Sequence, residues 1–192
     1  MEALFVSTGV VAIAEIGDKT QLLALLLAAR FRKPVPIILG ILVATLANHA
    51  LAASLGALVA AWAGPDIMRW VLGLSFIAMA AWVLVPDKVD DEPGVKTGAG
   101  AFLATLTAFF LLEMGDKTQI ATVALAARFQ SLAPVTAGTT LGMMLANVPA
   151  VLLGEVAATK VALKLVRGIS AMIFAILGIA VLTSLGDALA QG

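Results

Sequence analysis

Cysteine is absent from the 192 residues. That removes disulfides and thiolate metal sites, and with them copper(I) and zinc–thiolate chemistry. Histidine occurs once, at His49, so no histidine cluster can form. With no HExxH motif and no second histidine, metalloprotease or Ser–His hydrolysis has no basis. Charge is the scarcest commodity. Only 12% of residues are Asp, Glu, Lys or Arg, against about a quarter in a soluble domain. The net charge of zero says nothing about nucleic acid, but the few basic residues are scattered, with no patch that could track phosphates.

What is present is apolar: 61% of the chain, with a mean hydropathy of +1.07. An all-α integral membrane protein embedded in a lipid bilayer is the class implied. Spans of about 20 apolar residues are expected at 3–29, 36–62, 67–85, 100–127, 134–157 and 168–190. The segment "MEALFVSTGVVAIAEIGDKT" starts acidic, so it reads as a permanent span rather than a signal peptide. Trp62, Trp70 and Trp82 fall near span ends, as an interfacial belt requires. The longest polar break, "VPDKVDDEPGVKTG", is an acidic linker over residues 86–99.

The chain is an internal duplication. "EIGDKTQLLALLLAARF" (15–31) aligns without a gap to "EMGDKTQIATVALAARF" (113–129), with 11 of 17 positions identical. Arg69 and Phe76 recur as Arg167 and Phe174 at the same spacing of 98, and "LAN" at 46–48 recurs at 145–147. Residues 1–85 and 100–192 are thus two three-helix repeats. Three crossings are an odd number, so the second repeat is inverted relative to the first. Loops one, three and five carry Arg30, Arg32, Lys33, Lys88, Lys96, Lys160, Lys164 and Arg167, against Arg69 and Arg128 on the other side. That bias places the linker in the cytoplasm and both termini outside.

Each repeat buries one charged block. Glu15 and Glu113 stand 12–13 residues into their spans, roughly 20 Å deep. Read as a continuous helix, the spacing puts Glu15 and Asp18 on one face, with Lys19 one turn from Glu15 and Gln21 extending the stripe. Gly17 and Gly115 permit either close helix contact or local unwinding. Six charges at mid-membrane cost on the order of 18 kcal/mol before pairing. A structural ion pair is an expensive way to join helices, so a functional site is expected. Four carboxylates (Glu15, Asp18, Glu113, Asp116) and two lysines (Lys19, Lys117) leave −2, which matches one divalent cation or two protons. Thr20, Gln21, Thr118, Gln119, Asn48 and Asn147 are neutral partners. This oxygen-only donor set suits Mg²⁺, Ca²⁺ or Mn²⁺.

The motif E-hydrophobic-G-D-K-T, present once per half, resembles the GDT-type family of cation/proton antiporters, and the resemblance covers the whole chain. It implies Mn²⁺ and Ca²⁺ as transported ions with no bound cofactor. It further implies that Glu15, Gly17, Asp18, Lys19 and Thr20 form one half of the ion site. Glu113, Gly115, Asp116, Lys117 and Thr118 would form the other, in a bacterial plasma membrane. The competing reading is a proton-coupled small-solute exporter with the carboxylates as relay; a passive channel and a structural subunit rank below it. His49 and Asn48 are read as packing or hydrogen-bonding groups beside possible site roles. Glu155 is read as interfacial, Met143 and Met144 as packing, and Pro149 as a kink or a packed-in proline. Nothing in the sequence sets an oligomeric state.

Overall fold

The computed structural model describes residues 1–63, 65–85, 100–153 and 163–183. The linker at 86–99 and Glu155 lie outside the described residues. The described residues form eight helices and no strand: α1 (Glu2–Glu15), α2 (Lys19–Phe31), α3 (Pro34–Trp62), α4 (Pro65–Val83), α5 (Ala101–Glu113), α6 (Lys117–Phe129), α7 (Leu132–Leu153) and α8 (Leu163–Leu182).

The expected spans 3–29 and 100–127 are each two helices. The chain leaves helical geometry at Ile16 and Met114, turns at Gly17 and Gly115, both with φ +79°, and resumes after Asp18 and Asp116 in extended conformation. Only glycine adopts that φ without a Cβ penalty. Apolar runs flank the charged block on both sides, so a span-length hydropathy window bridges the break and does not reveal it. Of the two uses open to these glycines, the structure takes unwinding. The single helical face proposed for Glu15 and Asp18 therefore does not exist.

Elsewhere the punctuation acts as read. Arg32 and Gln130, again 98 apart, close α2 and α6 in the left-handed conformation, with their N–H groups bonded to Ala28 and Ala126 carbonyls. Pro34 then opens α3 at its first turn, where its missing N–H is harmless. Pro149 sits inside α7, which continues past it to Leu153.

Packing exchanges partners between the halves. The first helix of each half lies along the long helix of the other, α1 on α7 and α5 on α3, while α4 packs on α8. Equivalent glycines make both close approaches. A Cβ on Gly138 would lie 2.5 Å from the Leu4 carbonyl oxygen and 2.9 Å from Ser7 Cβ. On Gly40 it would lie 2.9 Å from the Phe102 oxygen and 2.8 Å from Thr105 Cβ. Phe76 of α4 stacks on Phe174 of α8 with centroids 6.3 Å apart. Small residues at crossings are how apolar helices gain dispersion contact where burial from water is not the drive.

The outside is apolar. Leu51, Leu55 and Leu58 on α3, Leu145 and Leu152 on α7, and Ile176 and Ile179 on α8 are all exposed. Such a surface belongs in a non-aqueous environment. Among the described residues α3 and α7 are long and apolar enough to cross a membrane; 67–83, 101–113 and 167–182 are shorter apolar helices. Trp62 ends α3 and Trp82 stands one residue before the end of α4.

Candidate functional site

Each break builds the same small structure. The Asp18 N–H bonds back to the Glu15 carbonyl at 3.1 Å, and Asp116 to Glu113 at 3.2 Å. The Gly17 N–H donates to Gln21 Oε1 at 2.9 Å, and Gly115 to Gln119 Oε1 at 2.7 Å. A glutamine one turn ahead thus satisfies an amide that unwinding has freed. The threonines hold the glutamates: Thr20 donates to Glu15 Oε2 at 2.5 Å, and Thr118 to Glu113 Oε2 at 3.0 Å. Both glutamates are fully buried.

The lysines cross over. Lys19 Nζ lies 2.8 Å from Asp116 Oδ1, and Lys117 Nζ lies 2.7 Å from Asp18 Oδ1. Neither lysine is paired with the glutamate of its own block, contrary to the reading of Lys19 as a local neutraliser of Glu15. Unwinding breaks the i,i+4 geometry that such pairing needs. It also aims Asp and Lys across at the opposite repeat. The two ion pairs therefore join motif to motif.

The aspartates pair with lysines, and among the described residues the glutamates accept hydrogen bonds from threonine hydroxyls. Ligand atoms from Glu15, Glu113 and Asp116 all lie within 4.8 Å of one another, and all three residues are buried. Glu15 Oε1, Glu113 Oε1 and Asp116 Oδ2 are buried with no hydrogen-bond partner among the described residues. Unpaired buried carboxylate oxygens are costly, and a cation or protons would satisfy them. The donor set is hard oxygen throughout, which fits a Mn²⁺, Ca²⁺ or Mg²⁺ substrate and not a thiophilic metal.

Neutral groups tie the breaks to the long helices, unevenly. Gln21 Nε2 donates to the Ala146 carbonyl at 3.0 Å, and Asn48 Nδ2 to the Phe110 carbonyl at 3.0 Å, near the end of α5. Asn147 instead donates within α7, to the Met143 carbonyl at 3.1 Å and to Met143 Sδ at 3.0 Å. Met143 is fully buried, in keeping with a packing role. His49 is also fully buried, and neither ring nitrogen has a partner among the described residues. Sequence reasoning missed Ser170, whose hydroxyl caps the Ile13 carbonyl in the last turn of α1 at 3.0 Å. A lone serine in an apolar helix was its only signal.

Comparison with known proteins points the same way. The family model "Divalent cation/proton antiporter GDT1" matches residues 3–91 and 101–188. A Vibrio cholerae protein named "Putative manganese exporter" is 55% identical over 181 residues, covering 94% of this chain and 90% of that protein. "GDT1-like protein 3" of Oryza sativa subsp. japonica is 28% identical over 90% of this chain and 71% of its own length. The Arabidopsis thaliana protein of that name is 26% identical over 90% and 68%. No solved structure matches. The chain belongs to the GDT1 family of divalent cation/proton antiporters, which are membrane transporters and not enzymes.

Proposed function

We propose that this protein is a secondary active exchanger that exports Mn²⁺, Ca²⁺ or both against protons. The observation that carries the reading is the cluster of Glu15, Glu113 and Asp116, buried with ligand atoms within 4.8 Å of one another between two repeats of an otherwise apolar chain. Asp18 completes the site through Lys117. Four carboxylates and two lysines carry a formal −2, so one divalent cation or two protons neutralise it equally. Exclusive occupancy by one or the other is sufficient to couple their movements.

The fold reading that goes with this has six crossings. The pairs α1–α2 and α5–α6 are broken spans; α3, α4, α7 and α8 are unbroken ones. Residues 1–85 and 100–192 are the inverted repeats and 86–99 a cytoplasmic linker, with both termini outside a bacterial plasma membrane. Broken helices meeting at mid-membrane are how such repeats present backbone and side-chain ligands to an ion. Gly17 and Gly115 are the joints. Rocking of one repeat against the other, with Lys19 and Lys117 as the cross-ties, exposes the site to each side in turn. Rupture of one tie at a time would let one side open while the other stays shut.

The test is exchange in proteoliposomes under two opposite pH gradients. Mn²⁺ flux is expected to reverse with the gradient, with Ca²⁺ and Mg²⁺ ranked by competition. Flux indifferent to the gradient would sink proton coupling. Full flux in Glu15→Gln and Asp116→Asn would sink the site.

A further inference from the structure

The ends of α2, α3 and α7 enclose a cavity of about 200 Å³, lined by Ala28, Arg32, Lys33, Pro34, Val151 and Leu152. It draws on both halves of the chain. Two of these residues are cations, in a sequence where charge is scarce. Neither the Arg32 nor the Lys33 side chain makes an ion pair or hydrogen bond among the described residues. The chain fixes where these charges stand. Arg32 ends α2 in the left-handed conformation, its N–H bonded to the Ala28 carbonyl, and Pro34 opens α3. Pro34 and Pro36 carry no N–H, and the Ile37 N–H is taken by the Lys33 carbonyl. An anion here depends on the two side chains more than on helix amides.

The matching corner of the other half lacks the charge and is closed over its alanine. Gln130, Ser131 and Leu132 stand where Arg32, Lys33 and Pro34 do, 98 residues on. Ala126, the counterpart of Ala28, is fully buried, and a Cβ on Gly56 of α3 would lie 3.0 Å from its Cβ. Ala28 is only half-buried. Charge and open space thus coincide at one corner.

Size, charge and surroundings define what fits. The volume falls below the ~300–1,000 Å³ of sites that enclose a whole small molecule. Two unpaired cations call for an anion, and a guanidinium fork beside an ammonium suits phosphate. Leu152 lines the cavity and is 61% exposed, and Val35 beside Pro34 is 65% exposed, so the cavity opens onto the apolar outside. Pro34 lies roughly 20 Å along α3 from Asn48, which bonds at the level of the second break. That is headgroup depth in a bilayer whose half-thickness, polar layers included, is about 20 Å.

We propose that this cavity holds the phosphate of one anionic phospholipid, with its acyl chains outside against α3 and α7. A zwitterionic lipid brings its own cation to the phosphate and competes poorly. Basic pockets between membrane helices at the cytoplasmic face take acidic headgroups in this way. The bound lipid bridges α2 and α3 of one half to α7 of the other. The depth rests on the six-crossing reading given above; binding is measured without transport, so each can fail alone.

The test is native mass spectrometry of the full-length protein in detergent, titrated with phosphatidylglycerol or with phosphatidylcholine of the same chains. Phosphatidylglycerol is expected to bind at least about tenfold tighter. Equal binding of the two overturns the choice of an anionic lipid. Arg32→Gln and Lys33→Gln should each weaken phosphatidylglycerol binding about tenfold or more. Arg30→Gln removes the same charge outside the cavity and should leave the affinity within about twofold. Equal losses at Arg30 and Arg32 would mean diffuse attraction and overturn the site. Ala28→Leu fills the cavity with both cations kept and should weaken binding to the same degree; undiminished binding overturns the cavity as the seat of the headgroup. Should Ala28→Leu misfold, the arginine and lysine variants carry the test, since both side chains are exposed. Inorganic phosphate in large excess should leave the lipid bound. Displacement would assign the site to free phosphate and overturn the lipid.

Discussion

The two charged blocks have the same sequence chemistry, the same turn and the same internal hydrogen bonds, yet their surroundings differ. At the first break, α1 is capped from outside by Ser170, and Gln21 reaches the Ala146 carbonyl. The position 98 before Ser170 is Leu72, so the end of α5 has no matching hydroxyl from α4. Asn48 reaches that end of α5, whereas Asn147 turns back on its own helix. The side chain of Lys19 is 22% exposed and that of Lys117 is 5% exposed. A duplicated site in which both halves were held equally would favour a closed, symmetric state. Unequal support lets one tie open at lower cost than the other, which is what an alternating carrier requires.

The strongest break of that comparison lies where the halves are alike. Glu15→Gln and Glu113→Gln should each reduce exchange at least about a hundredfold, since each removes a charge from the proposed site and can cost several kcal/mol. Both should also abolish the Mn²⁺-induced thermal shift. One glutamate proving dispensable in both assays would mean the halves are not two parts of one site.

The lysines should separate the halves. Removing Lys117 strips a buried partner from Asp18, so Lys117→Ala should destabilise by about 3–5 kcal/mol. Lys19→Ala, at the more exposed pair, should cost about 1–2 kcal/mol. Thermal unfolding in detergent reads the difference. Adding Asp18→Asn to Lys117→Ala should restore part of the stability without restoring exchange. Equal losses in the two single variants would remove the asymmetry argued here.

Much of this was legible in the chain. The repeat, the helical class and the four carboxylates follow from a spacing of 98 and from charges inside apolar runs. The breaks were not, because apolar runs flank each charged block and a span-length window bridges it as one crossing. The glycine marked a possibility and left its use open. The crossed lysines were legible only in part: Lys19 has a carboxylate at i−4 and another at i−1, and sequence spacing ranks those above a partner 97 residues away. Ser170 shows the limit most clearly. Its hydroxyl matters because the break frees the Ile13 carbonyl, and a break that is not foreseen assigns it no task.

The helix crossings offer a smaller test of how closely the repeats match. An alanine Cβ at Gly138 would meet the Leu4 carbonyl oxygen at 2.5 Å, and one at Gly40 would meet its nearest neighbours, including the Phe102 oxygen, at 2.8–2.9 Å. Both contacts involve backbone, which cannot rotate away, so both substitutions force the helices apart. Gly138→Ala should cost about 2–3 kcal/mol and Gly40→Ala about 1–2 kcal/mol. The reverse order would place the tighter crossing between α3 and α5.

The asparagines give the smallest effect and the sharpest contrast, because they are the same residue at matching places. Asn48 spans two helices: its amide holds the Phe110 carbonyl in the last turn of α5, a partly buried acceptor that Asn48→Ala would strip. The loss should be about 1–2 kcal/mol. Among the described residues Asn147 bonds to Met143 of its own α7, and the Met143 carbonyl already lies within a continuous helix, so Asn147→Ala should cost about 0.5 kcal/mol. If stability alone were at issue, exchange would follow the same order. Both Oδ1 atoms are buried with no partner among the described residues, so either could serve the cation; if Asn147 does and Asn48 only supports the break, Asn147→Ala will be the milder variant in unfolding and the more damaging one in Mn²⁺ flux. Measuring both quantities on both variants distinguishes an asparagine that supports the break from one that serves the cation.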